Sequence, residues 1–458
     1  MTTSHRRAGL ARWWSLLTLV ALGSCGGGDR RDGAALPNLV LMVSDDQGLV
    51  LGCYGHPDVQ TPRLDALAAE GTVFRRAYAP TAVCTPSRAT LMTGLMPMNH
   101  GARGFEPVTE GVRVWGEHFA DAGYRTGLIG KIGVKPVPRF PFDFVARADK
   151  DDLAARTVQW HLAQLDRFLD GDDGRPWCLV VNFRDSHWPF PTDGAPFGED
   201  PPPPHRREGL KVPEALLDAP EVRAELARYY DGLRRMDATA GAMLDRIEGR
   251  GPGEELVGLF TSDNGPPFPF AKTTLYEAGT HMPLIAFGAG VARGQRDEFV
   301  GLVDVLPTLL ELAGAPAEGL DGRSLVPALE GRALGDEDAP WRDQIATTQD
   351  GHRVEPTIPV RAVRFGRWKY IRTFGAGLRF QNNVMRTSDT WRVMVAAAEQ
   401  DTDVLRRIQR FVERPSEELY DLEADPEELR DLSRDATMAE VLEEGRRRLA
   451  GSPLVDSP

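Results

Sequence analysis

Asn38-Leu39-Val40-Leu41-Met42-Val43-Ser44-Asp45-Asp46 sets an unbroken apolar run against two adjacent carboxylates. A run without polar alternation is what a strand buried on both faces requires, and such strands belong to parallel sheets covered by helices. Ser44-Asp45-Asp46 then ends the strand with polar groups, at the edge where open α/β sheets form their ligand crevice.

Outward from this strand the same alternation repeats. Thr61-Pro62 predicts a helix start, with Thr61 as cap, Pro62 at the first helical position, Leu64 and Leu67 on the apolar face and Gly71 as the stop. Further strands are expected over 126–129, 178–183, 256–261 and 284–287, and helices over 115–122, 222–248 and 303–312. Near 360–370 short β runs broken by Gly366 precede a helical stretch near 401–414. The expected fold is therefore α/β: a mostly parallel sheet sandwiched by helices over 37–345, with a smaller α+β subdomain over 346–458 carrying a short antiparallel sheet. Pro201–Pro204 reads as a stiff loop within the larger unit.

Asp45-Asp46, Lys131, His187 and Asp263-Asn264 each follow one of these strand-like runs. Adjacent carboxylates repel, so Asp45-Asp46 and Asp263 facing one crevice call for a cation, and an all-oxygen donor set suits calcium. Taken alone, either pair also fits an Asx-capped turn. Cys84, in Cys84-Thr85-Pro86-Ser87-Arg88, stands before a helix that Pro86 helps to start, at a positive end that favours an anion; a plain buried thiol is the other reading.

Cys84-Thr85-Pro86-Ser87-Arg88, continuing into Ala89-Thr90-Leu91-Met92-Thr93-Gly94, resembles the signature of the sulfatase family, whose fold is alkaline-phosphatase-like. That resemblance implies oxidation of Cys84 to formylglycine by a dedicated maturation enzyme, with the hydrated aldehyde as nucleophile. It also implies that Asp45, Asp46, Asp263, Asn264 and an oxygen of the modified Cys84 bind one Ca2+ ion, the acidic residues matching the family's DD and its SDNG as Ser262-Asp263-Asn264-Gly265. Arg88 would hold the hydrated aldehyde, Lys131 would neutralise sulfate oxygens, and His187 with Lys272 would bind sulfate and assist the leaving group. Pro141-Phe142-Asp143-Phe144, Pro267-Phe268-Pro269 and Thr274-Leu275-Tyr276 look nearest to sulfamidases, the N-sulfoglucosamine sulfohydrolases. Glu418-Leu419-Tyr420-Asp421-Leu422 with Asp425-Pro426 resembles the C-terminal part of the family. The implied substrate is a sulfated sugar, such as N-sulfoglucosamine of a heparan-type glycosaminoglycan.

One position departs from the pattern. Sulfatases carry a histidine two residues after the lysine of Gly130-Lys131, and here that position is Gly133. If the imidazole starts release of sulfate, Gly133→His should raise turnover, by about 10²–10⁴-fold for a general base. Two rival readings share the motifs: a phosphonate or phosphate monoester hydrolase of the same superfamily, and a pseudosulfatase that binds sulfated glycans with weak turnover.

The formal net charge of -13, with no long basic stripe, argues against a nucleic-acid partner. The four cysteines, at 25, 53, 84 and 178, form no CxxC pair, so neither a zinc site nor a disulfide framework is signalled. Basic residues before an apolar run from Trp13 to Leu22 predict a signal peptide over 1–24, and Leu22-Gly23-Ser24-Cys25 resembles a bacterial lipobox. The expectation is an exported envelope protein whose only membrane contact is a lipid on Cys25, followed by a Gly-rich tether over 25–36. A plain secretory signal is the alternative.

Overall fold

The computed structural model describes residues 36–147, 154–190, 205–248, 255–351 and 357–452. The leader, Cys25, the tether up to residue 35 and Pro201–Pro204 lie outside the described residues. Among the described residues no helix is long and apolar enough to cross a membrane.

The opening apolar run is β1 (Asn38–Ser44), buried along its whole length. Val40 and Met42 belong to one hydrophobic cluster, with Leu233 and Met236 of the long helix Pro220–Glu248. Leu39, Leu41 and Val43 belong to another, with Ala89 and Leu91 of the helix Cys84–Thr93 and Leu306 and Leu309 of the helix Val305–Leu312. Alternate side chains of one strand thus enter two cores, which is why the run shows no polar alternation.

Seven further strands complete this sheet: β2 (Thr72–Tyr78), β3 (Arg125–Gly130), β4 (Phe144–Arg147), β5 (Trp177–Phe183), β6 (Leu256–Ser262), β7 (His281–Gly288) and β8 (Gly294–Gly301). Their spatial order is β4-β3-β5-β1-β6-β7-β2-β8. Every pair is parallel except β6 with β7 and β7 with β2, so one reversed strand makes a mostly parallel sheet mixed. The order matters for function. β3, β5, β1 and β6 are parallel neighbours, so the segments that leave their C-terminal ends emerge side by side.

A second sheet, wholly antiparallel, has the order β12-β11-β10-β9, from β9 (Gln344–Gln349), β10 (Val360–Phe365), β11 (Trp368–Thr373) and β12 (Glu417–Asp421). The hairpin expected around Gly366 is its centre. The helical stretch near 401–414 is the helix Thr402–Val412, capped by the Asp401 carboxylate, which accepts from the N–H groups of Asp403 and Val404.

The first helix is Pro62–Glu70, but Thr61 does not cap it. Its hydroxyl accepts from Gly52 N (3.0 Å) and donates to Asp65 Oδ1 (3.1 Å). The free N–H groups of Arg63 and Leu64 instead reach the Asp237 carboxylate, at 3.2 and 2.8 Å, from the long helix. A cap from 173 residues away in the chain leaves no local signal.

Candidate active site

β1 hands over to Asp45 and Asp46, β3 to Lys131, β5 to the turn carrying His187, and β6 to Asp263 and Asn264. Asp46 has a left-handed backbone (φ 58°), a strained state for a non-glycine residue that costs about 1–3 kcal/mol. Tertiary hydrogen bonds hold it there. Its N–H donates to Asp263 Oδ1 (3.0 Å) and its carbonyl accepts from Tyr229 OH (3.0 Å). The turn after β5 is tied to the same strand end, since Ser186 Oγ donates to the Asp45 carbonyl at 2.5 Å.

Three basic side chains meet the three buried acids one by one. Lys131 Nζ lies 2.9 and 2.7 Å from the two oxygens of Asp45. Lys272 Nζ lies 2.5 and 2.7 Å from those of Asp46. Arg88 Nε donates to Asp263 Oδ2 (2.7 Å) and its Nη1 to Asn182 Oδ1 (2.5 Å), with Nη2 3.5 Å from Asp45. Lys272 is set by a loop in which Phe270 and Thr273 both have positive φ. That loop is pinned by Thr273 N to Ala82 O (2.8 Å) and by Asn382 Nδ2 to Thr273 Oγ1 (2.5 Å).

Cys84 is the first residue of a fully buried ten-residue helix, and its thiol is close enough to Arg88 and Lys272 to act on both cations electrostatically. All the expected site residues, Asp45, Asp46, Cys84, Arg88, Lys131, His187, Asp263, Asn264 and Lys272, therefore converge on one place. Arg88 ties together the ends of β6, β5 and β1 through Asp263, Asn182 and Asp45.

The electrostatics follow from this pairing. Burial alone would raise the Asp45 pKa, but Lys131, His187 and Arg88 outweigh it and hold the carboxyl well below the usual range. Burial pushes Asp263 up to about 7, because Arg88 cannot offset the additional repulsion of Asp45 and Asp46. Burial opposes the charges on Arg88 and Lys272, yet the adjacent carboxylates raise both above their ordinary values. His187 is pushed down to about 4, chiefly by burial, against the pull of Asp46 and Asp45. Its Nδ1 donates to the Trp188 carbonyl at 2.5 Å, which assigns the proton to Nδ1 and leaves Nε2 facing Asp46 Oδ2 at 3.8 Å.

The donor set fits a hard cation. Asp45, Asp46 and His187 each bring one potential ligand atom within 4.8 Å of the others. Asn264 is wholly buried with its Nδ2 bound to Asp46 Oδ1 (2.8 Å), while its Oδ1 has no hydrogen-bond partner. An orphaned carbonyl-type oxygen beside three carboxylates is the arrangement that an oxygen-seeking ion satisfies.

Residues 37–315, more than half the chain, match the sulfatase family model. The chain belongs to the sulfatase family. This sulfatase is 30% identical over 453 residues to human N-sulphoglucosamine sulphohydrolase, covering 90% of this chain and 89% of the relative. It is 25% identical to an ulvan-active sulfatase of Formosa agariphila, covering 90% and 74%. Its fold is similar to that of the phosphonate monoester hydrolase of Agrobacterium radiobacter, with a TM-score of 0.66 at 22% identity, over 90% of this chain and 95% of that one. As a sulfatase it is a hydrolase, and the constellation above lies in the matched segment.

One expectation meets a steric obstacle. Gly133 has φ 69°, and a Cβ built there would stand 2.4 Å from Arg88 Cδ. The space that a side chain at 133 would use is filled by Arg88, so a histidine cannot simply be restored. Sequence reasoning also missed Asn182, Ser186 and Tyr229. Only Asn182 had a signal, as the polar residue within the otherwise apolar Trp177–Phe183 strand.

Proposed function

We propose that this sulfatase hydrolyses sulfate esters or sulfamates of sulfated carbohydrates, N-sulfoglucosamine among them, using a formylglycine made from Cys84 and one Ca2+ ion. The observation that carries the reading is the meeting of three acids, one orphaned amide oxygen and three cations at the N-terminal end of the Cys84 helix. The likeness to N-sulphoglucosamine sulphohydrolase over most of both chains supports the substrate class.

Asp45, Asp46, Asp263 and Asn264 would hold the ion, which would withdraw charge from a sulfuryl oxygen and help ionise residue 84. Lys131 and Lys272 have the charge and the place to take the remaining sulfate oxygens, releasing the carboxylates they now neutralise. Arg88 fixes Asp263 relative to Asn182 and so sets the shape of the acidic cup. His187 offers Nε2 as the proton-accepting atom on the side of Asp46. A maturation enzyme is the implied partner for Cys84, and a lipid on Cys25 would tether the protein in the cell envelope.

Parallel assays of glucosamine N-sulfate, an aryl sulfate and an aryl phosphonate test the reading, with mass measurement of the Cys84 peptide. Sulfamate or sulfate turnover with a mass about 18 Da below the thiol form supports it. Preference for the phosphonate would move the assignment to the monoester hydrolases, and binding without turnover would leave a glycan-binding pseudosulfatase.

A further inference from the structure

The site is not equally buried on all sides. Asp45, Asp46, Asp263 and Asn264 have no accessible surface, the Lys131 side chain is 18% exposed, the His187 side chain is 28% exposed and Trp188 is 39% exposed. Exposure therefore rises from the acids through Lys131 and His187 to Trp188.

Trp188 is the sole aromatic among the large, exposed apolar side chains of the described residues. Its backbone is held firmly while the residue keeps 39% of its surface in solvent. The buried Arg156 donates to the carbonyls of His187 (3.3 Å) and Pro189 (2.9 Å). Phe190, next along, is buried and stacked on Phe268 with ring centroids 6.0 Å apart. A partly exposed indole leaves apolar surface in water, and here that surface is anchored on both sides next to a site residue.

We infer that Trp188 is the saccharide platform of this site: its indole face receives the C–H face of the sugar ring whose sulfate enters between Lys131 and Lys272. This rests on the carbohydrate reading above and adds the residue that recognises the sugar. The partially negative face of an indole attracts the polarised C–H groups of a pyranose, and both surfaces leave water on contact. A ring held there keeps its sulfate in register with the cup, without any polar contact to the sugar hydroxyls being required.

Steady-state kinetics with glucosamine N-sulfate on Trp188→Ala and Trp188→Phe, with inorganic sulfate as competitive inhibitor, test the assignment. The backbone carbonyl that holds His187 is present in both variants. Trp188→Ala is expected to raise KM about ten-fold with a smaller effect on kcat. Trp188→Phe should recover most of that loss, and the inhibition constant of inorganic sulfate, which reaches only the buried cations, should move less than about two-fold. An unchanged KM in Trp188→Ala overturns the platform, and so does a parallel rise in KM and in the sulfate inhibition constant, which would mean that Trp188 merely supports His187. If the parent enzyme cleaves an aryl sulfate but no sulfated sugar, the carbohydrate reading fails and takes the platform with it; saccharide turnover with a silent Trp188→Ala removes the platform alone.

Discussion

Gly133 and Arg88 compete for one volume: a Cβ on Gly133 would lie 2.4 Å from Arg88 Cδ and 3.2 Å from Arg88 Nε, the atom that binds Asp263. Gly133 also sits at φ 69°, where a side chain is strained whatever the space. Gly133→His is therefore expected to lower turnover, because the imidazole displaces the guanidinium from Asp263 and Asn182. Strain and overpacking together should cost about 1–3 kcal/mol of stability. Urea unfolding and kcat/KM of the variant check this, and a gain in turnover would show that Arg88 moves aside freely.

Ca2+ is expected to raise the unfolding temperature of chelator-treated protein, since it binds the folded acids and not the dispersed ones. At a hundred-fold excess over its dissociation constant the gain is about 2.7 kcal/mol. Asp263→Asn should abolish most of the shift, because Asp263 joins the backbone of Asp46 to Arg88. A calorimetric scan with and without the ion needs no active enzyme.

Lys369→Met should be among the most destabilising single changes outside the site. Lys369 Nζ lies 2.8 Å from Glu277 and 3.7 Å from Glu428; the Lys369 and Glu428 side chains are nearly shielded from water and that of Glu277 is partly so. The ammonium outweighs burial at Glu277, holding it well below the carboxylate range, while burial pushes Glu428 up to about 8. Removing the cation leaves Glu428 beside Glu277 with only His281, 3.0 Å from Glu277, as a close basic partner among the described residues, and a loss of about 3 kcal/mol is expected in denaturant melts.

Acid should destabilise the fold through its buried histidines. His100, with no accessible surface, accepts from Ala102 N at Nδ1 (3.1 Å), and burial lowers its pKa to about 4. Between that value and the ordinary 6.5 the unfolded chain binds the proton and the folded chain does not. Its stabilising contribution, about 3 kcal/mol, is therefore whole above pH 6.5 and is lost as pH falls towards 4. His100→Leu should flatten the fall in unfolding free energy over that window, whatever it does to stability at neutral pH.

The sheet, the strand ends that bear the site and the identity of each charged group in it are legible in the order of residues alone. Apolar runs such as Leu39 to Val43 have to be buried on both faces, and the polar residues that end them have to fall at the sheet's edge. How those charges are matched follows from the folded arrangement alone. Lys131 with Asp45, Lys272 with Asp46 and Arg88 with Asp263 are partners more than 80 residues apart, brought together by the order β3-β5-β1-β6. Asp237 capping the helix Pro62–Glu70, Tyr229 holding the Asp46 backbone and Asn382 tying down the Lys272 loop are decided the same way. Periodicity reports which face of an element is buried, but a partner's identity depends on three-dimensional proximity, so a glycine that looks like a lost histidine proves to be the room Arg88 needs.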